Sequence, residues 1–332
     1  MSEVPSSKSA PFKTAFGLLT RTTPFLLLNI AVYGGFFLAA VLWLAIFGSI
    51  AYFFSSRLEV LAYIFFLIAI MGPSSVLYFG RKYVLYLVKG AHIAVLTKIF
   101  TTGSVPEGKS QVSYGREIVQ SNFKDVSILF GLDRLIDGTV KRFTRKFVRI
   151  VDFLPLGGGA TSIAQWIAKI VNQSLTYVDE AILSYAICKD EKNIWNSARH
   201  GIILYAQSYK PVLMTAVKVW VLGKVFFIAS VVTIGIPGIF LMLVFDAIWF
   251  QLLALVATLL LASLFTRAVF EPFAMAYTLV TYHQAIEGVE VNKEWDERLQ
   301  SISNEFKKLV SKAKDFTAGS SSDTSTAQAQ PL

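Results

Sequence analysis

Charge is what this chain has least of. Asp, Glu, Lys and Arg together make up 16% of the residues, against about 25% in an average soluble domain. Cysteine is nearly absent too: Cys188 stands alone, which excludes an internal disulfide and a cysteine-built zinc cluster. The three histidines, His92, His200 and His283, lie far apart in the chain and lack metal-ligand spacing, so no metal site is expected. No short apolar run followed by a small-residue cleavage site occurs near Met1; the first apolar block is too long for a signal peptide and reads as a retained span.

What fills the chain instead is apolar, at 54% of residues with 27 Phe. From Val225 to Thr266 there are 42 residues with one formal charge, Asp246, near the middle. A bilayer's hydrocarbon core takes about 20 apolar residues as a helix. Two spanning helices joined by a tight turn at Asp246 fit this length. Thr22 to Ser56 adds 35 uncharged residues, Arg57 and Glu59 mark a turn, and Val60 to Gly80 adds 21 more. Pro24 then sits in the interface, or that helix tilts. Gly72-Pro73-Ser74-Ser75 and Gly235-Ile236-Pro237-Gly238 interrupt these runs, and kinks are expected where proline frees a carbonyl.

Between the two apolar pairs the character changes. Arg81 to Lys210 carries 18 Lys and Arg and 10 Asp and Glu, with no run long enough to span. Val119, Phe123, Val126, Phe130, Ile136, Val140, Phe143, Phe147, Ile150 and Leu154 fall mostly at steps of three or four, the period of a one-sided helix. Lys141, Arg142, Arg145, Lys146 and Arg149 gather on the other side and fit anionic lipid headgroups. A second series, Ile163, Ile167, Ile170, Val171, Val178 and Ile182, follows Gly157-Gly158-Gly159. Such amphipathic helices lie on a membrane or pack on one another beside it.

The expected fold is therefore all-α: a polytopic helical membrane protein with two transmembrane hairpins, four spans in all, flanking a cytoplasmic amphipathic-helical segment. The divisions are an N-terminal tail (1–21), a first hairpin (22–80), amphipathic helices (81–210), a second hairpin (211–280), and a charged helix with a disordered tail (281–332). The turns at Arg57 and Asp246 hold one Lys or Arg between them, against three before the first span, 18 in the middle and six in the tail. The positive-inside tendency puts both termini and the middle segment in the cytoplasm, as in a bacterial inner membrane or its equivalent. A net charge of +9 is spread through these flanking segments, which favours lipid headgroups over nucleic acid as the partner.

A repeat is also legible. An offset of 187 superposes Pro24 on Pro211, Leu26 on Leu213, Val32 on Val219 and Gly48 on Gly235, and an offset of 185 pairs Gly103 with Gly288. Unrelated membrane hairpins align about this well, so common ancestry of the halves stays open.

Three constellations could carry chemistry. Gly103-Ser-Val-Pro-Glu-Gly108-Lys109-Ser110 satisfies the phosphate-loop pattern, in which glycine amides, a lysine and a serine close on phosphate and Mg²⁺. That loop needs a buried strand before it, and the middle segment lacks the Val- and Ile-rich strands of a parallel sheet. A Pro/Gly turn opening a helix is the competing reading. Lys224 and Arg267 stand 21 and 20 uncharged residues from Asp246, so both emerge at one boundary, with Glu271 a helical turn beyond Arg267. A Lys224–Glu271 pair or a three-charge cluster would serve as a gate or coupling site; the alternative is side chains reaching for the headgroups. Asp179-Glu180 and Asp190-Glu191 are carboxylate pairs of the kind helices show to water. No catalytic residue and no cofactor is expected.

Asn193-Ile-Trp-Asn-Ser-Ala-Arg199, followed by the apolar run Gly201 to Ala229, resembles the approach to the last hairpin of choline transporter-like proteins. The resemblance covers about 90 residues; those proteins are longer and have more spans. It implies transport without fixing a substrate, with Trp220, Tyr277 and Tyr282 offering aromatic faces to a cation. Two functions follow as expectations: a transporter or channel component for a small solute or lipid, its pathway completed by homo-oligomerisation, or a membrane adaptor whose basic helices bind anionic lipid or protein.

Overall fold

The structure is a computed structural model that describes residues 10–80, 84–122, 126–147, 169–189, 192–244 and 247–327. Its long elements are all helices: α1 (Pro11–Arg21), α2 (Thr23–Ser55), α3 (Glu59–Gly80), α4 (Tyr86–Thr102), α5 (Gln111–Asn122), α6 (Val126–Phe147), α7 (Thr176–Cys188), α8 (Ile194–Gln207), α9 (Tyr209–Val244), α10 (Ile248–Ala285), α11 (Lys293–Ile302) and α12 (Asn304–Ala327). No strand occurs among the described residues. The residues group into two compact units, one of Met1–Arg21, Ala91–Trp220 and Ala274–Leu332, the other of Thr22–Gly90 and Val221–Phe273.

Among the described residues three helices are long and apolar enough to cross a membrane: Thr23–Ser55, Tyr209–Phe240 and Phe250–Ala285. In their most apolar stretches only 17%, 11% and 17% of residues are buried. Leu38, Leu42, Ile236, Phe240 and Leu243 are all more than 60% exposed. Apolar surface on that scale is not left to water by a soluble protein. Helix α3 has a shorter apolar stretch, Glu59–Gly72, below the length of these three.

In the unit built on these helices, α2 and α3 form a hairpin across Ser56–Leu58. Its inner side is aromatic: Phe47 and Phe54 both stack on Phe65, at 6.4 and 5.9 Å. Farther along, Trp43 seats its indole against Gly72, where any Cβ would collide with the ring nitrogen. That nitrogen donates to the Ile68 carbonyl at 3.1 Å. An indole N–H facing hydrocarbon would go unbonded, and the glycine lets it reach α3 backbone just ahead of Pro73. The helix continues through residues 72–75 without a break, as α9 does through Pro237 and α10 through Pro272. Gly223 similarly admits the Phe270 ring, at 2.9 Å from where a Cβ would stand.

The other unit is packed like a water-soluble helical domain. Leu129, Leu132, Ile136, Val140 and Phe143 of α6 are at most 1% exposed, following steps of three and four. They meet α7, α8, α11 and α12. The buried stripe thus runs through Leu129 and Leu132, whereas Phe130, placed on it by the sequence, is 38% exposed. Counting back from Phe143 at 3.6 residues per turn reaches 129 rather than 130. Phe123, Ile150 and Leu154 lie outside the described residues.

Of the residues paired by the repeat, Gly103 and Gly288 share a role: each follows the end of a helix with a left-handed φ, 85° and 73°. That conformation suits glycine at a helix C-terminus. Gly48 and Gly235 do not match, since Gly48 abuts Leu253 while nothing lies near Gly235.

A side chain at position 72 should push the two helices apart. We expect Gly72→Val to lower stability by about 1–3 kcal/mol, and Trp43→Phe, which removes only the N–H, by about 1 kcal/mol. Thermal melting in detergent micelles would check this; a Gly72→Val protein melting with the parent would contradict the notch.

Candidate functional site

Within the apolar unit, Arg267 and Glu271 of α10 meet each other and a tyrosine of α2. Arg267 and Glu271, four residues apart on one helix face, approach to 4.0 Å between Nη1 and Oε1. The second carboxylate oxygen, Oε2, stands 3.5 Å from the Tyr33 hydroxyl of α2, which donates toward it. Tyr33 is 7% exposed and packs with Leu85, Leu264 and Ala268, with Phe36 and Leu260 around them. Lys224 is exposed on α9. Tyr33 thus joins Arg267 and Glu271. Tyr33 carries no sequence signal of its role, because 238 residues separate it from Glu271.

The phosphate-loop pattern has other employment. Helix α4, not a strand, precedes it, ending at Thr102. Gly103 and Gly108 take left-handed φ values of 85° and 79°. Lys109 is paired with Glu117 of α5. Ser110 caps that helix, its Oγ accepting from the Ser113 amide at 3.1 Å. The Arg21 guanidinium donates to the Gly103 carbonyl, and the Gln111 amide donates to the Arg21 carbonyl at 2.8 Å. The loop turns the chain from α4 to α5 and grips the end of α1.

On α6, Arg142, Arg145 and Lys146 are exposed, while Lys141 is held by Asp137 at 2.7 Å. Arg149 lies outside the described residues. Arg142 has an acidic neighbour across the helix contact, Glu305 of α12. The Glu305 carboxyl is held below its ordinary value, first by its own backbone N–H and, against burial, by the Ser303 hydroxyl, Arg142 and Lys308.

The segment 193–199 is consumed by structural bonds. Asn193 caps α8, accepting from the Asn196 amide at 3.1 Å, and its amide donates to the Ala313 carbonyl at 2.7 Å. Trp195 carries the Lys312 ammonium 4.8 Å above its ring. Arg199 grips Asp296 with two nitrogens, at 2.8 and 2.6 Å. That pairing raises the guanidinium's proton affinity further, against the cost of its partial burial. Gln207 closes the other end, donating to the Glu290 carbonyl at 2.9 Å and accepting from the Asn292 amide at 3.2 Å. Helix α8 is the post to which α11 and α12 are tied. The aromatic faces suggested for a cation are also engaged: Tyr277 meets Phe12 edge-on, and Tyr282 meets Tyr185 edge-on and donates to the Gly201 carbonyl at 2.9 Å. Trp220 is half-buried.

The remaining candidates reduce to packing. His283 lies 2.8 Å from the Ser184 Oγ, a hydroxyl that already bonds the Ala181 carbonyl at 2.7 Å. Asp179 and Glu180 are buried at 6% and 4% exposure rather than facing water; Asp190 and Glu191 lie outside the described residues. No group of three metal-ligating side chains occurs among the described residues.

No family model, curated protein or solved structure matches the chain.

Two measurements test the helical unit. Asp296→Asn should remove the charge facing Arg199 and cost about 2 kcal/mol, seen as a lower melting temperature; an unchanged one would contradict the anchoring role. His92, fully buried on α4, has its imidazole brought from 6.5 down to about 3 by burial alone. Unfolded, it takes up a proton near its ordinary value; folded, it stays neutral. Its contribution is thus complete above that value and is lost as pH falls toward 3. Acidifying to about pH 5 costs about 2 kcal/mol. His92→Phe should flatten this part of the melting-temperature profile, and an equally steep profile would count against it.

Proposed function

We propose that the chain is a multi-pass membrane protein crossing four times, through α2, α3, α9 and α10, with both termini and residues 81–210 cytoplasmic, and that it is a transporter or channel component for a small solute or lipid. The lopsided distribution of Lys and Arg supports this orientation: 18 in the middle segment against one in the two opposite turns. The observation that carries the transport reading is Tyr33–Glu271–Arg267, an ionised pair and a hydroxyl joining two otherwise apolar helices. Ionisable groups on membrane helices recur along substrate and ion pathways. The resemblance of residues 193–229 to choline transporter-like proteins points the same way without naming a substrate. Four spans leave room for a pathway completed by a second copy.

The test is flux into liposomes containing the purified protein, across a panel of ions, small solutes and labelled lipids. Glu271→Gln and Tyr33→Phe should each reduce a detected flux about tenfold or more, as loss of a 1.4 kcal/mol interaction does. A parent that moves nothing and stays monomeric, or variants that transport like the parent, would sink the reading.

A second reading has its own support. The apolar side of α6 is spent on packing, and Arg142, Arg145 and Lys146 are exposed on its other side, Arg142 beside Glu305. In this adaptor reading each contributes about 1 kcal/mol at an anionic surface. With the full chain in neutral-lipid nanodiscs, replacing all three by Glu should abolish capture of phosphatidylserine vesicles; capture at parental levels would dispose of it.

A further inference from the structure

We propose that α1 is an interfacial membrane helix whose Phe12 and Phe16 insert at the boundary between headgroups and acyl chains. This rests on the membrane reading above but goes beyond it, since α1 is not a span.

Helix α1 has two distinct apolar sides. Thr14, Ala15 and Leu18 are buried in the helical unit. Phe12 and Phe16, one turn apart on a different side, are 52% and 56% exposed. The other exposed large apolar side chains among the described residues of that unit, Val112, Phe130, Val291 and Phe316, are 38–42% exposed. Leaving two adjacent phenylalanines half in water is unfavourable by the apolar area involved, so a reason for their exposure is needed.

The helix is also fixed rather than adrift. Phe12 packs edge-on against Tyr277 with ring centroids 5.7 Å apart. At the other end the Arg21 side chain and carbonyl are both bonded, to Gly103 and Gln111. The aromatic pair is presented by a built support.

Chain length then selects the occupant. Helix α1 ends at Arg21 and the apolar helix α2 starts at Thr23. Phe16 is seven residues before Thr23, a helical rise of about 10 Å. A side chain so few residues from the start of a span is within reach of the bilayer interface. Exposed Lys13 on α1 adds the basic residue that such helices direct to phosphate. A lipid surface fits the aromatic and cationic composition and the position together.

The experiment uses the full chain in liposomes with Cys188→Ser as background and single nitroxide labels introduced by Phe16→Cys, Lys13→Cys and Leu42→Cys. Collisions with oxygen, which concentrates in lipid, are compared with those of a water-soluble nickel chelate. The Leu42 label, on an exposed α2 position, reports whether the span is in lipid at all. We expect label 16 to shift toward oxygen, close to label 42, with label 13 shifted toward the chelate. If label 42 favours oxygen and label 16 favours the chelate, the α1 proposal is overturned while the membrane reading stands. If both favour the chelate, both fall. A label 16 immobilised and shielded from both agents means that protein, a second copy or a partner, covers this face, and the proposal is overturned.

Discussion

A helix that is apolar around its whole circumference must be covered around its whole circumference, and the described residues do not do it. Helices α2, α9 and α10 keep only a small fraction of their most apolar stretches away from the surroundings. The deficit explains what surrounds it. Backbone groups inside a helix satisfy one another, so helices can enter a medium without water. The few polar side chains in these segments bond inward: the Trp43 indole to the Ile68 carbonyl, the Tyr33 hydroxyl toward Glu271, and the hydroxyls of Ser230 and Thr266 to the carbonyls a turn earlier.

The helical unit obeys the opposite economy. Its apolar residues go inside, and its polar residues are used as fasteners between segments distant in sequence. Asn193, Arg199 and Gln207, spread along one short helix, hold the residues 290–317 that follow the last long helix. Ser303 performs a similar task at the corner between α11 and α12. It accepts from the Phe306 amide at 3.1 Å and lies 3.4 Å from the Thr139 hydroxyl of α6. There the Glu305 side chain leans on Gly138, at 2.7 Å from where a Cβ would stand. A helix carrying so many cross-links is a scaffold element, and its charges are already matched.

How far the sequence reveals this depends on the range of the interaction. Helix type and the long apolar helices are legible because they are local: an uncharged stretch of more than 20 residues needs no knowledge of its neighbours. Kinks are expected from the sequence at Pro73 and Pro237, and α3 and α9 are helical through both positions. The α6 stripe is readable to within one residue, with Phe130 in place of Leu129. Partner choice is not readable. Equal run lengths place Lys224 and Arg267 at one boundary, with Glu271 a turn beyond, but run length says nothing about rotation about the helix axis, so the approach of Tyr33 to Glu271 is invisible in the sequence. Arg199 and Asp296 are similarly invisible as a pair, each one of many charges in a polar segment.

These assignments bear on the weight that each functional signal can carry. The phosphate-loop pattern asks for amides and a lysine held open for a ligand; here the lysine has a glutamate, the serine has a helix end, and the preceding element is a helix. The segment that resembles choline transporter-like proteins is occupied in the same way: its asparagine, tryptophan and arginine are accounted for by α11 and α12. A motif fully used by packing can recur wherever that packing is useful, and it carries little information about a substrate. Tyr33, Glu271 and Arg267 differ, because apolar residues could cover the same helix surfaces at lower desolvation cost. Their retention inside apolar helices is what packing alone does not explain, and the transport reading therefore stands on them.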